Sequence, residues 1–223
     1  MNTVMVIAPH PDDETLGCGG TLLRHKANGD EVHWVILTNI SEDSDWPETQ
    51  VMNRQAEIEQ VAEAYGFNSV HKFDFPTARL DCVGTSELVG RISAAIQVVQ
   101  PTVLYLNNRS DIHTDHQVAF RAAMSAAKSF RHPYIRRILM YETLSETEFC
   151  APLPEGAFQP NVFVDVSAHM DVKCDIMQIY GTEMMESPLP RSVDAVRSLA
   201  TYRGGRIGAT YAEAFMLVGE FLW

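Results

Sequence analysis

Cysteine is scarce in this chain: Cys18, Cys82, Cys150 and Cys174 are all there are, and none lies in a CxxC pair. At 223 residues the chain is too large to need disulfide staples, so the thiols are expected to be free, in a reducing compartment. Basic residues are also few. The 17 Lys and Arg face 29 Asp and Glu, for a formal net charge of -12. An acidic surface repels phosphate backbones, which argues against nucleic acid as a partner and against anionic membrane surfaces. A local basic pocket for a phosphorylated ligand is still compatible with that balance. No charged segment precedes the first apolar run, so no signal peptide is expected. No apolar run approaches the ~20 residues that span a bilayer. Cytoplasm is the expected location. Internal repeats and low-complexity linkers are absent too.

What is present is a regular alternation. Short apolar, β-branched runs at 3–8, 31–38, 70–75, 102–106, 137–143 and 161–166 read as strands. Helical patterns at 15–28, 48–65, 85–99, 117–130 and 167–180 separate most of them, the last opened by Ser167 as N-cap. Asn28-Gly29 and Gly66 are stop signals. This pattern predicts a Rossmann-like α/β fold, a mainly parallel sheet with helices on both faces, in a single domain over 1–223. Two loops stand out as rims for a site: an acidic one at 41–47 carrying Trp46, and a proline-rich one at 150–160.

The chemistry concentrates in two clusters. Pro9-His10-Pro11-Asp12-Asp13-Glu14 falls where the first strand ends and the first helix begins. Ligands bind at the carboxyl ends of strands in an open α/β sheet, and the two prolines stiffen the turn by fixing φ. Asp111-Ile112-His113-Thr114-Asp115-His116 follows the 102–106 strand across a short polar loop. If the two strands are neighbours, both clusters face one crevice. Three ligands of His, His and carboxylate type would leave an open position on a tetrahedral metal, the catalytic arrangement. Taken singly, either cluster also fits a hydrogen-bonded turn cap.

These residues carry a resemblance. The run from Pro9 to Glu14, continued by Thr15-Leu16-Gly17-Cys18-Gly19-Gly20-Thr21, is similar to the first motif of the LmbE-like, or PIG-L, deacetylases. Asp111-x-His113-x-Asp115-His116 resembles their second motif, and Tyr202-Arg203-Gly204 with Gly208 and Tyr211-Ala212-Glu213-Ala214-Phe215 their third. Weaker echoes are Leu37-Thr38, Arg54-x-x-Glu57 and Arg79-Leu80-Asp81. Asn39-Ile40-Ser41 stands where members of the family often have a Gly-Glu pair, a departure that bears on specificity.

The resemblance implies an LmbE-like fold and a zinc-dependent hydrolase that removes acetyl from the nitrogen of an N-acetylated amino sugar, a small-molecule substrate. It implies His10, Asp13 and His116 as ligands of Zn2+, with Asp12 as general base. His113 would stabilise the oxyanion, and Asp115 would orient and charge it. Ferrous iron would suit the same ligands. Members of the family often form homo-oligomers. From the residues themselves, Arg54 and Arg203 are candidate contacts to an anion or to sugar hydroxyls. Glu14 reads as support for the site or as a helix cap. Gly17-x-Gly19-Gly20 lacks dinucleotide-loop spacing and reads as close helix-to-sheet packing, with Cys18 a buried small residue among the glycines. Two other readings stand beside this one: hydrolysis of a non-sugar amide, and a metal- or sugar-binding protein of the same fold without catalysis.

Overall fold

The computed structural model describes residues 1–41 and 46–222. Most of the acidic loop expected at 41–47 thus lies outside the described residues. Strand β1 (Thr3–Ala8) runs through the middle of a seven-stranded sheet, flanked by β2 (Glu31–Asn39) and β4 (Val103–Asn107). Beyond β2 lies β3 (Ser69–Pro76); beyond β4 come β5 (Arg137–Tyr141), β7 (Ala212–Glu220) and β6 (Val162–Asp165) at the far edge. β3, β2, β1, β4 and β5 pair in parallel. β7 alone runs against its neighbours.

The expected two-faced burial is visible along β1. Val4, Val6 and Ala8 point into one core; Met5 and Ile7 point into the other. A strand covered on both faces needs apolar side chains at every position, which is why it reads as a continuous run rather than an alternation. The first core is closed by α1 (Asp13–Ala27), α2 (Glu48–Tyr65), α5 (Met170–Ile179) and α6 (Val193–Gly204), through residues such as Leu22, Ile58, Met177 and Val196. The second is closed by α3 (Thr85–Val99) and α4 (Thr114–Ala126), through Leu88, Ile92, Ala119 and Ala123.

α1 is broken. Cys18 has φ -144° and ψ 17°, so the helix restarts there. The freed N–H groups of Gly20 and Thr21 donate to the two Glu213 carboxylate oxygens at 2.8 and 2.7 Å. Lys173 Nζ donates to Glu213 Oε1 at 2.7 Å and to the Leu16 carbonyl at 2.9 Å, so each half of the break has a partner. The glycines bring this helix onto the sheet. A Cβ on Gly17 would run into the Tyr141 ring, and one on Gly20 would lie 2.8 Å from Val166.

Some elements differ from their sequence expectation. Ser167 does not cap a helix: its hydroxyl donates to Asp165 Oδ1 at 2.6 Å, and α5 begins at Met170 behind a His169 that makes no side-chain cap bond. The next helix, α6, does have a serine cap, Ser192, which accepts from Ala195 N at 3.2 Å. α4 starts at Thr114, three residues before the expected start, and this places Asp115 and His116 in its first turn.

Candidate active site

The strand order places the crevice. β1 is followed in sequence by β2 and β3 on one side, while β4 pairs with its other edge. Helices therefore leave β1 and β4 in opposite directions, and a cleft opens at their carboxyl ends. Both chemical clusters sit at its floor.

The first turn is pinned at several points. The Pro9 carbonyl accepts from the Thr38 N–H at 3.0 Å and from its hydroxyl at 2.9 Å. Arg54 Nη1 donates to the Pro11 carbonyl at 3.0 Å. Asp12 then adopts φ 129°, a conformation that costs a non-glycine residue on the order of 1–3 kcal/mol. Its backbone is held there on both sides: its N–H donates to Glu14 Oε2 at 3.2 Å, and its carbonyl accepts from Thr15 N and Leu16 N. Glu14, fully buried, also accepts from the Thr15 hydroxyl at 2.6 Å and the Tyr180 hydroxyl at 2.8 Å. Glu14 thus supports the site from behind the turn. Burial pushes its carboxyl up to about 7 despite these donors.

His10, Asp13 and His116 offer ligand atoms that all lie within 4.8 Å of one another. Asp13 Oδ2 is 3.3 Å from His10 Nδ1 and 3.2 Å from His116 Nε2. The other nitrogen of each ring is engaged by a carboxylate. His10 Nε2 donates to Asp115 Oδ2 at 3.0 Å, and His116 Nδ1 donates to Asp111 Oδ2 at 2.8 Å. A carboxylate only accepts, so each neutral ring carries its proton on the engaged nitrogen and turns a lone pair towards Asp13. His116 Nε2 is buried and has no hydrogen-bond partner among the described residues. An orphaned lone pair, a second lone pair and a carboxylate oxygen at one point fit a divalent cation. The same field acts on protons. Burial opposes a charge on His10, but Asp115 and Asp13 outweigh it and raise the ring to about 9. Asp13 is buried as well, yet the two histidines hold its carboxyl well below the usual range.

Asp111 is the residue that sequence reasoning passes over. It is buried and takes three donors: His116 Nδ1, Asn108 Nδ2 at 2.8 Å and Thr147 Oγ1 at 2.6 Å. Its place in the second motif is the available signal. Asp115 makes more contacts than its implied role requires. Its carboxylate holds His10 and accepts from Ala78 N at 2.7 Å and Leu80 N at 3.0 Å, so it orients His10 directly. Its backbone N–H instead donates to His113 Nδ1 at 3.1 Å, capping α4. The His113 ring packs against His10 at 4.5 Å between centroids. Burial, with His10 and His116 nearby, lowers it to about 4, against the expected imidazolium. A neutral His113 whose Nδ1 accepts a hydrogen bond presents Nε2–H as a donor.

The cleft above these groups encloses about 500 Å³ and is lined by His10, Asp12, Asp13 and His113. Arg54 also lines it, bonded to Glu183 and to Thr182 Oγ1. Arg203 does not line the cleft. Its guanidinium forks onto Glu142 at 2.8 and 2.7 Å, a bidentate pair that satisfies a mostly buried carboxylate. The sequence reading also lacks Glu183 and Arg191, which line the cleft from the connection between α5 and α6. Arg191 Nη1 is 2.7 Å from Glu183 Oε2 and 3.5 Å from Asp12 Oδ2.

Comparison with known proteins agrees with this architecture. The diacetylchitobiose deacetylase of Thermococcus kodakarensis is 27% identical over 227 residues, covering 98% of this chain and 84% of that protein. The conserved protein TT1542 of Thermus thermophilus superposes with a TM-score of 0.79 at 28% identity, over 100% of this chain and 97% of that one. The N,N'-diacetylchitobiose deacetylase of Pyrococcus horikoshii shares the fold, with a TM-score of 0.76 at 20% identity over 96% and 83%. Residues 5–127 match the family model described as PIG-L: GlcNAc-PI de-N-acetylase, and the chain belongs to that family.

Proposed function

We propose that this chain is a metal-dependent de-N-acetylase, acting as one domain over 1–223, that hydrolyses the acetamide of an N-acetylated amino sugar to acetate and the free amine. The observation that carries the mechanism is the meeting of two histidine lone pairs and the Asp13 carboxylate beside Asp12 and His113 on one cleft floor. His10, Asp13 and His116 would hold the ion. Zinc suits two imidazoles and a carboxylate with a position left open, and ferrous iron suits the same set. A divalent ion there supplies Lewis acidity, polarising the amide carbonyl and making water acidic enough to attack near neutral pH.

The protein side chains do the rest. Asp12 lies next in sequence to a ligand and lines the cleft; it takes the proton of the attacking water and returns it to the leaving nitrogen. The His113 Nε2–H donates to the oxyanion as it forms; a neutral donor fixed by its own cap bond needs no reorganisation. Asp115 and Asp111 keep the two ligand rings in the tautomer that leaves a lone pair for the ion. No helix among the described residues is long and apolar enough to cross a membrane. We place the protein in the cytoplasm, where its four free cysteines would stay reduced.

Acetate release from N-acetylglucosamine, its glycosides and its nucleotide diphosphate form, with and without chelator, tests the reading. Chelator-sensitive release from a member of this panel is expected. Protein with stoichiometric metal that releases acetate from none of them would refute it.

A further inference from the structure

The cations of the cleft are already taken. Among the described residues lining it, Arg54 and Arg191 are the guanidinium groups, and no lysine lines it. Glu183 clamps both: one oxygen meets Arg54 and the other lies 2.7 Å from Arg191 Nη1. Arg54 is further held by Glu57 at 3.3 Å, the Thr182 hydroxyl and the Pro11 carbonyl, and Arg191 by Asp12 at 3.5 Å. Two guanidiniums thus share three carboxylates. Glu146 adds another carboxyl group to the lining.

Above the floor of His10, Asp13 and His113, the remaining polar lining is uncharged: Asn39, Gln50, Thr77, Thr143 and Ser145. Two of these have buried oxygens with no hydrogen-bond partner among the described residues, Asn39 Oδ1 and Thr143 Oγ1. An amide oxygen only accepts, so Asn39 Oδ1 suits a hydroxyl or an amide N–H and repels a phosphate oxygen. Trp46 also lines the cleft and offers an apolar face suited to a sugar ring.

We propose that this cleft selects an uncharged N-acetylated sugar or neutral glycoside and turns away the same sugar carrying a phosphate, a diphosphate or a carboxylate. The choice rests on the deacetylase reading for its reaction, but on the charge pairing for its direction. An anionic substituent would have to displace Glu183 from a guanidinium or sit beside it unpaired, and like-charge juxtaposition is how interfaces reject wrong partners.

The test compares N-acetylglucosamine, N,N'-diacetylchitobiose, N-acetylglucosamine 6-phosphate and the uridine diphosphate sugar on the metal-loaded full chain. kcat/KM is measured by acetate release, and binding by ligand-observed NMR. The neutral sugars are expected to be preferred by at least about tenfold in both readouts. Raising ionic strength should narrow that gap, because screening weakens the repulsion. Glu183→Gln keeps the side chain's shape and frees guanidinium charge, so it should narrow the gap too. Equal or better use of the phosphorylated sugars would overturn the proposal, as would a Glu183→Gln variant with the wild-type ratio. If no sugar is turned over but the neutral ones bind selectively, the deacetylase reading fails and the charge selection stands. If none binds, the selection fails as well.

Discussion

Replacing Asp111 by asparagine removes a single charge at a position that touches no substrate, yet it should loosen the metal. Asp111 Oδ2 accepts from His116 Nδ1 at 2.8 Å, while Oδ1 accepts from Asn108 Nδ2 and from the Thr147 hydroxyl. An asparagine has one acceptor oxygen and one NH2 group for those two places. With its oxygen towards His116, its NH2 would oppose the Asn108 amide, donor against donor. With its oxygen towards Asn108, its NH2 would meet His116 Nδ1 and require a lone pair there. The imidazole proton would then move to Nε2, the atom aimed at the metal site. Either arrangement weakens the ligand. Loss of such an outer carboxylate lowers metal affinity by ~10–100-fold, or about 1.4–2.7 kcal/mol. Competition against a chromophoric chelator measures that affinity directly. Thermal melting of the metal-free protein, followed by circular dichroism, reports whether the fold is intact. A folded variant that binds metal as tightly as the wild type would refute the tautomer argument.

Asp12→Asn should retain stoichiometric metal while losing about 10²–10⁴-fold in kcat, because the proton acceptor is gone; metal analysis with steady-state acetate release checks both halves, and normal turnover would exclude Asp12 as base. Lys173→Met should destabilise the chain by about 3–5 kcal/mol in urea unfolding, since Glu213 would be left buried without the cation it pairs with. Gly17→Ala should cost on the order of 1–3 kcal/mol or prevent folding, because the new methyl meets a Tyr141 ring anchored by its hydroxyl to the Ile7 carbonyl at 3.0 Å. Arg203→Ala should leave KM close to wild type yet lower the melting temperature, as Glu142 loses both its hydrogen bonds; a raised KM at unchanged stability would return Arg203 to the substrate site.

The parts of the site that can be read from the chain are those made locally. His10, Asp12 and Asp13 lie within one turn, and His113 to His116 within another, so each cluster arrives at a strand end as a unit. The pairing of β1 with β4 then brings the two together. The parts that cannot be read depend on contacts distant in sequence. Arg191 reaches Asp12 across 179 residues, and nothing in its own neighbourhood marks it. Spacing couples Asp115 to His113, because they are two residues apart. In space its carboxylate bonds His10, 105 residues earlier, and the backbone after β3. Arg203 has a turn-like glycine neighbourhood that suggests a site, but Glu142, 61 residues earlier, claims it. β7 escapes a strand reading because its residues present themselves as a motif, and an antiparallel strand inserted between β5 and β6 leaves no βαβ signature.

The break in α1 has a consequence for how the molecule is made. The carboxylate that closes the helix behind the turn from His10 to Glu14, Glu213, comes 193 residues after Gly20. Until that strand has been made, the Gly20 and Thr21 N–H groups lack the acceptor that the folded chain gives them. A growing chain therefore carries the proposed site residues before it can complete the support behind them. Binding of a metal at the proposed site should then depend on β7, and removing that strand should weaken it without touching any proposed ligand.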